Sequence, residues 1–333
     1  MQFVNYSVEY IPQGEGLTGM LKHIEIAGRT CYFSGDKITD ESYKRFVDRM
    51  KESGHLAMLE HGTVYLYLEV NPENEFKDFE YPLAEFSAHY NWSDVVDSIS
   101  ARYCGNNYSM VNTRVESSKN GDFVTIVRKV YITTNYRVII ENGWEDDLQF
   151  MCEPTDFHAK RITFRFNTQI ALTREINRHR VNSMAERSTR FCNFSKGKFG
   201  SQIQISIPHF TDSEEIDNEL HGGNWTKTVC GIHEDYLNDS KLVNFTALEY
   251  WLAANEFCEW IYMMLLETGM PPEDARTILP LDLNSELVHT AFVSDWEHFI
   301  ALRSEITPGN KPHPDIIPLA QKLNDVLNQM CRL

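Results

Sequence analysis

The chain has 333 residues, enough for one large domain or two ordinary ones, and its 42% hydrophobic and 12% aromatic content is too apolar for a disordered protein. With 31 basic against 48 acidic residues, the net charge of −17 opposes extended binding to nucleic-acid phosphates. No stretch approaches the ~20 uncharged apolar residues of a membrane helix, and the first ten residues carry no secretory pattern, so the default expectation is a cytoplasmic protein without membrane contact.

In chain order, Gly14-Glu-Gly-Leu-Thr-Gly19 matches a dinucleotide-loop pattern. Pro12 and Gln13 separate it from any strand, however, and a turn feeding a helix at Met20 is the better account. Tyr43, Phe46, Val47 and Met50 recur at helical spacing and predict a helix over 40–53. Alternating apolar residues predict strands over Thr63–Val70 and Arg161–Asn167. Between them, about 71–160 reads as an insertion on the core, with strand-like pieces at Phe123–Val127 and Tyr131–Thr134. Ser183 and Glu186 stand at capping-box spacing and predict a helix from Met184, on which Glu186 and Arg190 would pair. The polar stretch Asp212–Asn224 reads as a loop.

Thr246–Thr268 predicts the longest helix, with a broad apolar face that includes Leu252, Phe257 and Trp260 and belongs in the core; Gly269 ends it. A short element follows from Pro271 to Pro280, then a buried strand over Leu287–Phe292. A helix opened by a Ser294/Glu297 capping box runs to about Arg303, and a last helix lies between Pro314 and Met330. Helices and strands are intermixed without regular βα alternation, which points to an α+β class and away from a doubly wound fold. The chain reads as a single domain, 1–333.

Seven scattered cysteines without a Cys-x-x-Cys pair indicate neither a disulfide framework nor a zinc site. Glu286/His289 and Cys230/His233 lack the second halves that metal sites need, and no residue is assigned to a metal. Charge is concentrated instead. Lys160–Lys198 holds ten Lys/Arg against two acids, which suits a small anionic ligand or a solvated basic face. Within it, Arg178-His-Arg-Val-Asn-Ser-Met-Ala-Glu-Arg-Ser-Thr-Arg190 gathers four arginines, a histidine and a glutamate that are costly to bury unpaired. A phosphate and a polar heterocycle would satisfy them.

This segment, read as Arg-His-Arg-x-x-Ser-x-x-Glu-x-Ser-x-Arg, resembles the signature of the flavin-dependent thymidylate synthases. The resemblance extends to Ala27–Tyr32, Leu59–Thr63, Ala275–Pro280 and His298–Arg303, covering about half the chain. It implies helices around a small, mainly antiparallel sheet, and synthesis of dTMP from dUMP with methylenetetrahydrofolate as one-carbon donor, FAD as cofactor and NADPH as reductant. It also implies a homotetramer, because family sites are assembled from several subunits and each motif occurs here once. By resemblance Arg303 is catalytic, and Glu175, Arg178, Glu186, Arg187, Ser188, Thr189, Arg190, Arg276 and Arg303 hold dUMP. His61, Thr63, Arg178, His179, Arg180, Glu186, Phe292, Ser294 and His298 would line FAD. Ala185, Glu175, Phe292 and Ser294 stand where many members carry other residues. The alternatives are a cysteine-dependent pyrimidine methylase using Cys192, its thiolate favoured by neighbouring arginines, and a catalytically weak nucleotide- or flavin-binding protein.

Overall fold

The computed structural model describes residues 1–70, 94–120, 123–221 and 246–330. In chain order these form β1 (Gln2–Val4), β2 (Ser7–Ile11), α1 (Gly16–Cys31), α2 (Ser42–Glu52), β3 (Thr63–Val70), α3 (Asp94–Cys104), β4 (Met110–Asn120), β5 (Phe123–Asn135) and α4 (Tyr136–Asn142). There follow β6 (Arg161–Gln169), α5 (Ile170–Ile176), β7 (Ser183–Glu186), β8 (Gln204–Ser206), α6 (Ser213–His221), α7 (Ala247–Glu267), α8 (Pro272–Ala275), β9 (Asn284–Phe292), α9 (Val293–Arg303) and α10 (Ile317–Met330). The class is α+β: an antiparallel sheet of order β2-β6-β9-β7, a second antiparallel sheet β3-β5-β4, and a short parallel pair β1-β8.

β6 sits inside the main sheet and is buried on both faces, with different chemistry on each. Ile162, Phe164 and Phe166 enter an aromatic core with Trp296 and Phe299 of α9 and Leu319 and Leu323 of α10. On the other face, Thr163 meets Thr290 of β9 at 2.7 Å and His23 of α1 at 2.8 Å. The period-2 alternation thus separates an apolar layer from a polar one. The second sheet shares a single apolar cluster with α1 and α2, in which Met20, Ile24 and Phe46 touch the layer of Val64, Leu66, Val130 and Ile132.

Several local expectations are corrected. Ser183–Glu186 forms the edge strand β7, paired antiparallel to β9 from Ser183↔Thr290 to Glu186↔Leu287, so no capping box forms there and Glu186 and Arg190 do not pair. Pairing with a distant strand overrides the local cap signal. Helix α9 begins one residue before Ser294, with Phe292 as its N-cap and no side-chain cap bond. Asp212–Asn224 is helical over α6, where the Asp212 carboxylate accepts the Glu215 amide at 2.8 Å, a cap spacing present in the sequence; 222–224 lie outside the described residues. The two strand pieces after residue 120 are parts of the one strand β5.

The Gly14–Gly19 segment is a tight turn in which α1 starts earlier than expected, at Gly16 with φ +61°; a side chain on Gly19 would strike the Gly14 carbonyl carbon at 2.0 Å. The longest helix forms as expected and opens on a capping box, Thr246 with Glu249, that was not among the expectations. Its face is only partly core: Leu252 is buried, whereas Phe257 and Trp260 are exposed at 47% and 54%. Cys230 and His233 lie outside the described residues.

Trp296 anchors the aromatic core. Its ring packs on His289 at 4.3 Å and Phe164 at 5.1 Å, and its Nε1 donates to the Ile162 carbonyl at 3.0 Å. Trp296→Ala should cost about 3–5 kcal/mol of unfolding free energy, as expected for removing a fully buried large aromatic. Urea titration of the variant checks this, and a loss below about 1 kcal/mol would contradict the packing described.

Candidate functional site

Two arginine groups form around the motif segment. The first centres on Arg303, the last residue of α9. Its three guanidinium nitrogens are all engaged: Nε donates to His179 Nε2 at 3.3 Å, and the two terminal nitrogens donate to Glu175 Oε2 at 2.6 Å and to the Glu175 carbonyl at 3.1 Å. Glu175 is at the end of α5, and His179 follows it in the turn that leads to β7. Burial, with the charge of Arg303 beside it, pulls the His179 imidazole down to about 4, so at neutral pH it is a neutral acceptor for Arg303. His298 lies one turn before Arg303 and packs edge-on to His179 at 6.1 Å. Arg178, Arg180 and Ser294 are exposed nearby in sequence to this pair, while Phe292 is buried.

The second group contains Arg190 and Arg276, both exposed. Glu273 joins them: its carboxylate accepts Arg190 Nε at 2.9 Å and its carbonyl accepts Arg276 Nε at 3.0 Å. Arg276 also donates to Thr189 Oγ1 at 3.3 Å. Two planar guanidiniums meet at one residue, Arg190 on its carboxylate and Arg276 on its carbonyl, an arrangement with donors to offer an anion. Glu273 was not singled out in the sequence; Pro271 and Pro272 were readable only as the start of a short element.

Arg187 faces the interior. Its guanidinium donates to Gln204 at 2.9 Å and to the Asn284 side chain at 3.0 Å, with Glu286 at 3.7 Å. A cavity of about 390 Å³ opens beside it, lined by Arg29, Phe33, Arg165 and Glu286 among others. The Ser188 amide donates to the Cys31 carbonyl at 3.0 Å, holding the segment on α1. Glu186 accepts from Thr173 at 2.7 Å, Ser285 at 3.1 Å and Asn177 at 3.3 Å, so it braces β7 on α5. Cys192 is buried at 3% exposure. On β9, Glu286 and His289 project to opposite faces, Glu286 to Arg187 and His289 to Trp296.

His61 and Thr63 lie inside the protein. His61 Nδ1 bonds Thr290 Oγ1 at 2.9 Å, and the Thr63 backbone exchanges two bonds with the Gln13 amide. Arg161, at the first position of β6, is the half-buried tie beneath them. It donates to the Glu60 carbonyl at 3.1 Å, Thr63 Oγ1 at 3.4 Å and Ser183 Oγ at 2.9 Å, and desolvation pulls its guanidinium down to about 10, still cationic at neutral pH. Of the residues expected to line the flavin, Arg178, Arg180, Ser294 and His298 are exposed, Glu186 is half-buried, and His61, Thr63, His179 and Phe292 are buried.

The sequence profile of the thymidylate synthase complementing protein family matches residues 152–331. Among solved structures, two crystal structures of the UMP/dUMP methylase PolB from Streptomyces cacaoi are similar. One, bound with 5-Br dUMP, is 14% identical, covers 99% of this chain and 93% of its own, and has a TM-score of 0.39. The other, bound with 5-Br UMP, is 13% identical, covers 99% and 92%, and has the same TM-score of 0.39. No curated protein matches the chain.

The buried histidines make a pH prediction. Desolvation pulls His23 down to about 4, His289 to about 3, and His61 well below its ordinary value. An unfolded chain would protonate all three near pH ~6.5. Between that pH and about 4 the unfolded state binds more protons, so stability should fall as pH falls, by about 1.4 kcal/mol per pH unit for each histidine. Unfolding free energies at about pH 7 and pH 5 measure the slope, and His23→Gln should reduce it by roughly one proton. A pH-independent stability across that interval would refute the assignment.

Proposed function

Because the chain belongs to the thymidylate synthase complementing protein family, we propose that it methylates dUMP to dTMP, with methylenetetrahydrofolate as one-carbon donor and NADPH-reduced FAD as hydride source. The observation that carries this reading is the meeting of His179 and Arg303, 124 residues apart, at the mouth of the motif. A guanidinium fixed in this way has a use in pyrimidine methylation. Uracil C5 attacks an electrophilic carbon only as negative charge gathers at N3 and O4, and a cation placed beforehand stabilises that charge without reorganising. Glu175 and neutral His179 set the position of Arg303; a pyrimidine taking this cation shares it with the Glu175 carboxylate.

Arg190 and Arg276, joined through Glu273 and Thr189, suit the nucleotide phosphate, and Arg178, Glu186 and Ser188 belong to the same motif surface. Arg187 serves from behind, holding β7 to β9. Burial of Arg187 disfavours direct contact with the substrate. FAD, when bound, supplies the hydride that completes the methyl group. Arg178, His179, Arg180, Ser294 and His298 fit its polar and anionic parts, while His61, Thr63 and Phe292 support that surface from beneath. Burial of Cys192 weighs against a cysteine-dependent methylase.

Arg303→Ala should leave the fold and FAD binding intact while turnover falls by roughly 10²–10³, as for loss of one transition-state donor. Arg303→Lys should rescue poorly, because an ammonium lacks the planar fork. Near-native turnover of Arg303→Ala would reduce the residue to a helix-end charge. The purified protein should bind FAD in a spectroscopic titration and oxidise NADPH in a dUMP-dependent manner; failure to bind FAD overturns the flavin assignment, and FAD binding without turnover favours the catalytically weak binder.

The two arginine groups have separate partners within one chain, which supports a site completed across subunits of a homotetramer. The exposed Phe257–Trp260 pair on α7, with ring centroids 5.5 Å apart, supplies an apolar face for such contacts. Light scattering should give a tetrameric mass. A monomer with full synthase activity would contradict this assembly.

A further inference from the structure

Away from both arginine groups, His209, His313 and Asp315 converge, with one ligand atom from each within 4.8 Å of the others. Asp315 is buried at 2% exposure, and among the described residues its ion-pair partners are these two histidines, with no lysine or arginine. His209 Nδ1 lies 3.0 Å from Asp315 Oδ1, and His313 Nδ1 lies 3.6 Å from Oδ2. These separations bracket the edge of roughly 3.3–3.4 Å of a tetrahedron with metal–ligand bonds of ~2.0–2.1 Å. The imidazole rings stand nearly perpendicular, at 87°, with centroids 5.7 Å apart. Both are partly exposed, leaving a side of the cluster open to solvent.

The carboxylate is oriented from behind. Tyr6 Oη donates to Asp315 Oδ2 at 3.0 Å and Gln169 Nε2 donates to the same oxygen at 2.9 Å. The backbone amide of His209 donates to Oδ1 at 2.8 Å, whereas the amide of Asp315 donates to His313 Nδ1 at 3.3 Å, a bond that a cation on this nitrogen would replace. Such outer hydrogen bonds are what hold metal-binding carboxylates in place.

We propose that His209, His313 and Asp315 form a binding site for a divalent cation of the zinc class, with water completing its coordination. The two-histidine, one-carboxylate set suits Zn²⁺ or a similar first-row ion better than Mg²⁺ or Ca²⁺, which prefer all-oxygen ligands. Its position gives it a structural consequence. Gln169 is the N-cap of α5, whose other end carries Glu175, and His313 and Asp315 lie in the segment between α9 and α10. A cation here would tie the segment after Arg303 to the start of the helix that holds Arg303.

The test uses the full chain, stripped with EDTA, equilibrated with Zn²⁺ and dialysed before its zinc is measured. Wild type should retain one equivalent more than His209→Ala/His313→Ala, and Zn²⁺ should raise the thermal midpoint of wild type but not of the variant. Should the alanine pair fail to fold, His313→Gln alone should lose the same equivalent. With Co²⁺ in place of Zn²⁺, the visible bands lost in the variant should lack thiolate charge transfer. Equal zinc retention and equal thermal response in wild type and variant would overturn the site, showing a histidine–carboxylate hydrogen-bond cluster only. Thiolate bands in the lost component would overturn it in favour of cysteine binding.

Discussion

The geometry of the motif surface depends on one desolvated, half-buried cation. Arg161 begins β6, and among the described residues its hydrogen-bond partners are the Glu60 carbonyl, Thr63 and Ser183, with no carboxylate. Each belongs to a different part of the chain: the turn before β3, β3 itself, and β7. Burying a guanidinium is costly unless its donors are met, and here they are met by groups that must stay in place. That requirement pins the second sheet to the first and sets β7 at the edge of the main sheet. The polar layer of His23, Thr163, Thr290 and His61 continues the tie, so the segment from Arg178 to Arg190 rests on a hydrogen-bonded floor rather than an apolar one.

Above that floor, the short helix α5 distributes position to three features. Its Thr173 and the following Asn177 hold Glu186, its Glu175 holds Arg303, and Gln169 at its N-terminus reaches Asp315. A displacement of this helix would move all three. Glu175 has two duties toward Arg303, since both its carboxylate and its carbonyl accept from the same guanidinium. Paired acceptors restrict the rotation of a long side chain more than a single ion pair does, and restriction is what a preorganised donor needs.

The sequence by itself determined the elements whose information is local. Alternation in Thr63–Val70 and Arg161–Asn167 and the apolar spacing of Tyr43–Met50 and of Thr246–Thr268 each state a secondary structure from local pattern alone, and β3, β6, α2 and α7 formed accordingly. The motif residues were legible for the same reason, since their spacing is itself the signal. Tertiary structure decided what depends on a distant partner. Ser183–Glu186 carries a helix-cap pattern but becomes a strand because β9 offers it a ladder, and Phe257 and Trp260 look like core but face outward because no described element covers them. The same limit applies to chemistry. His179 with Arg303, Arg190 with Glu273, and His209 with Asp315 are joined across 124, 83 and 106 residues, and hydrophobic period and capping rules carry no term for contacts at such separations. Only packing of the sheets and of α5 brings these charges within bonding distance, where desolvation then makes each unpaired group costly and each pairing specific.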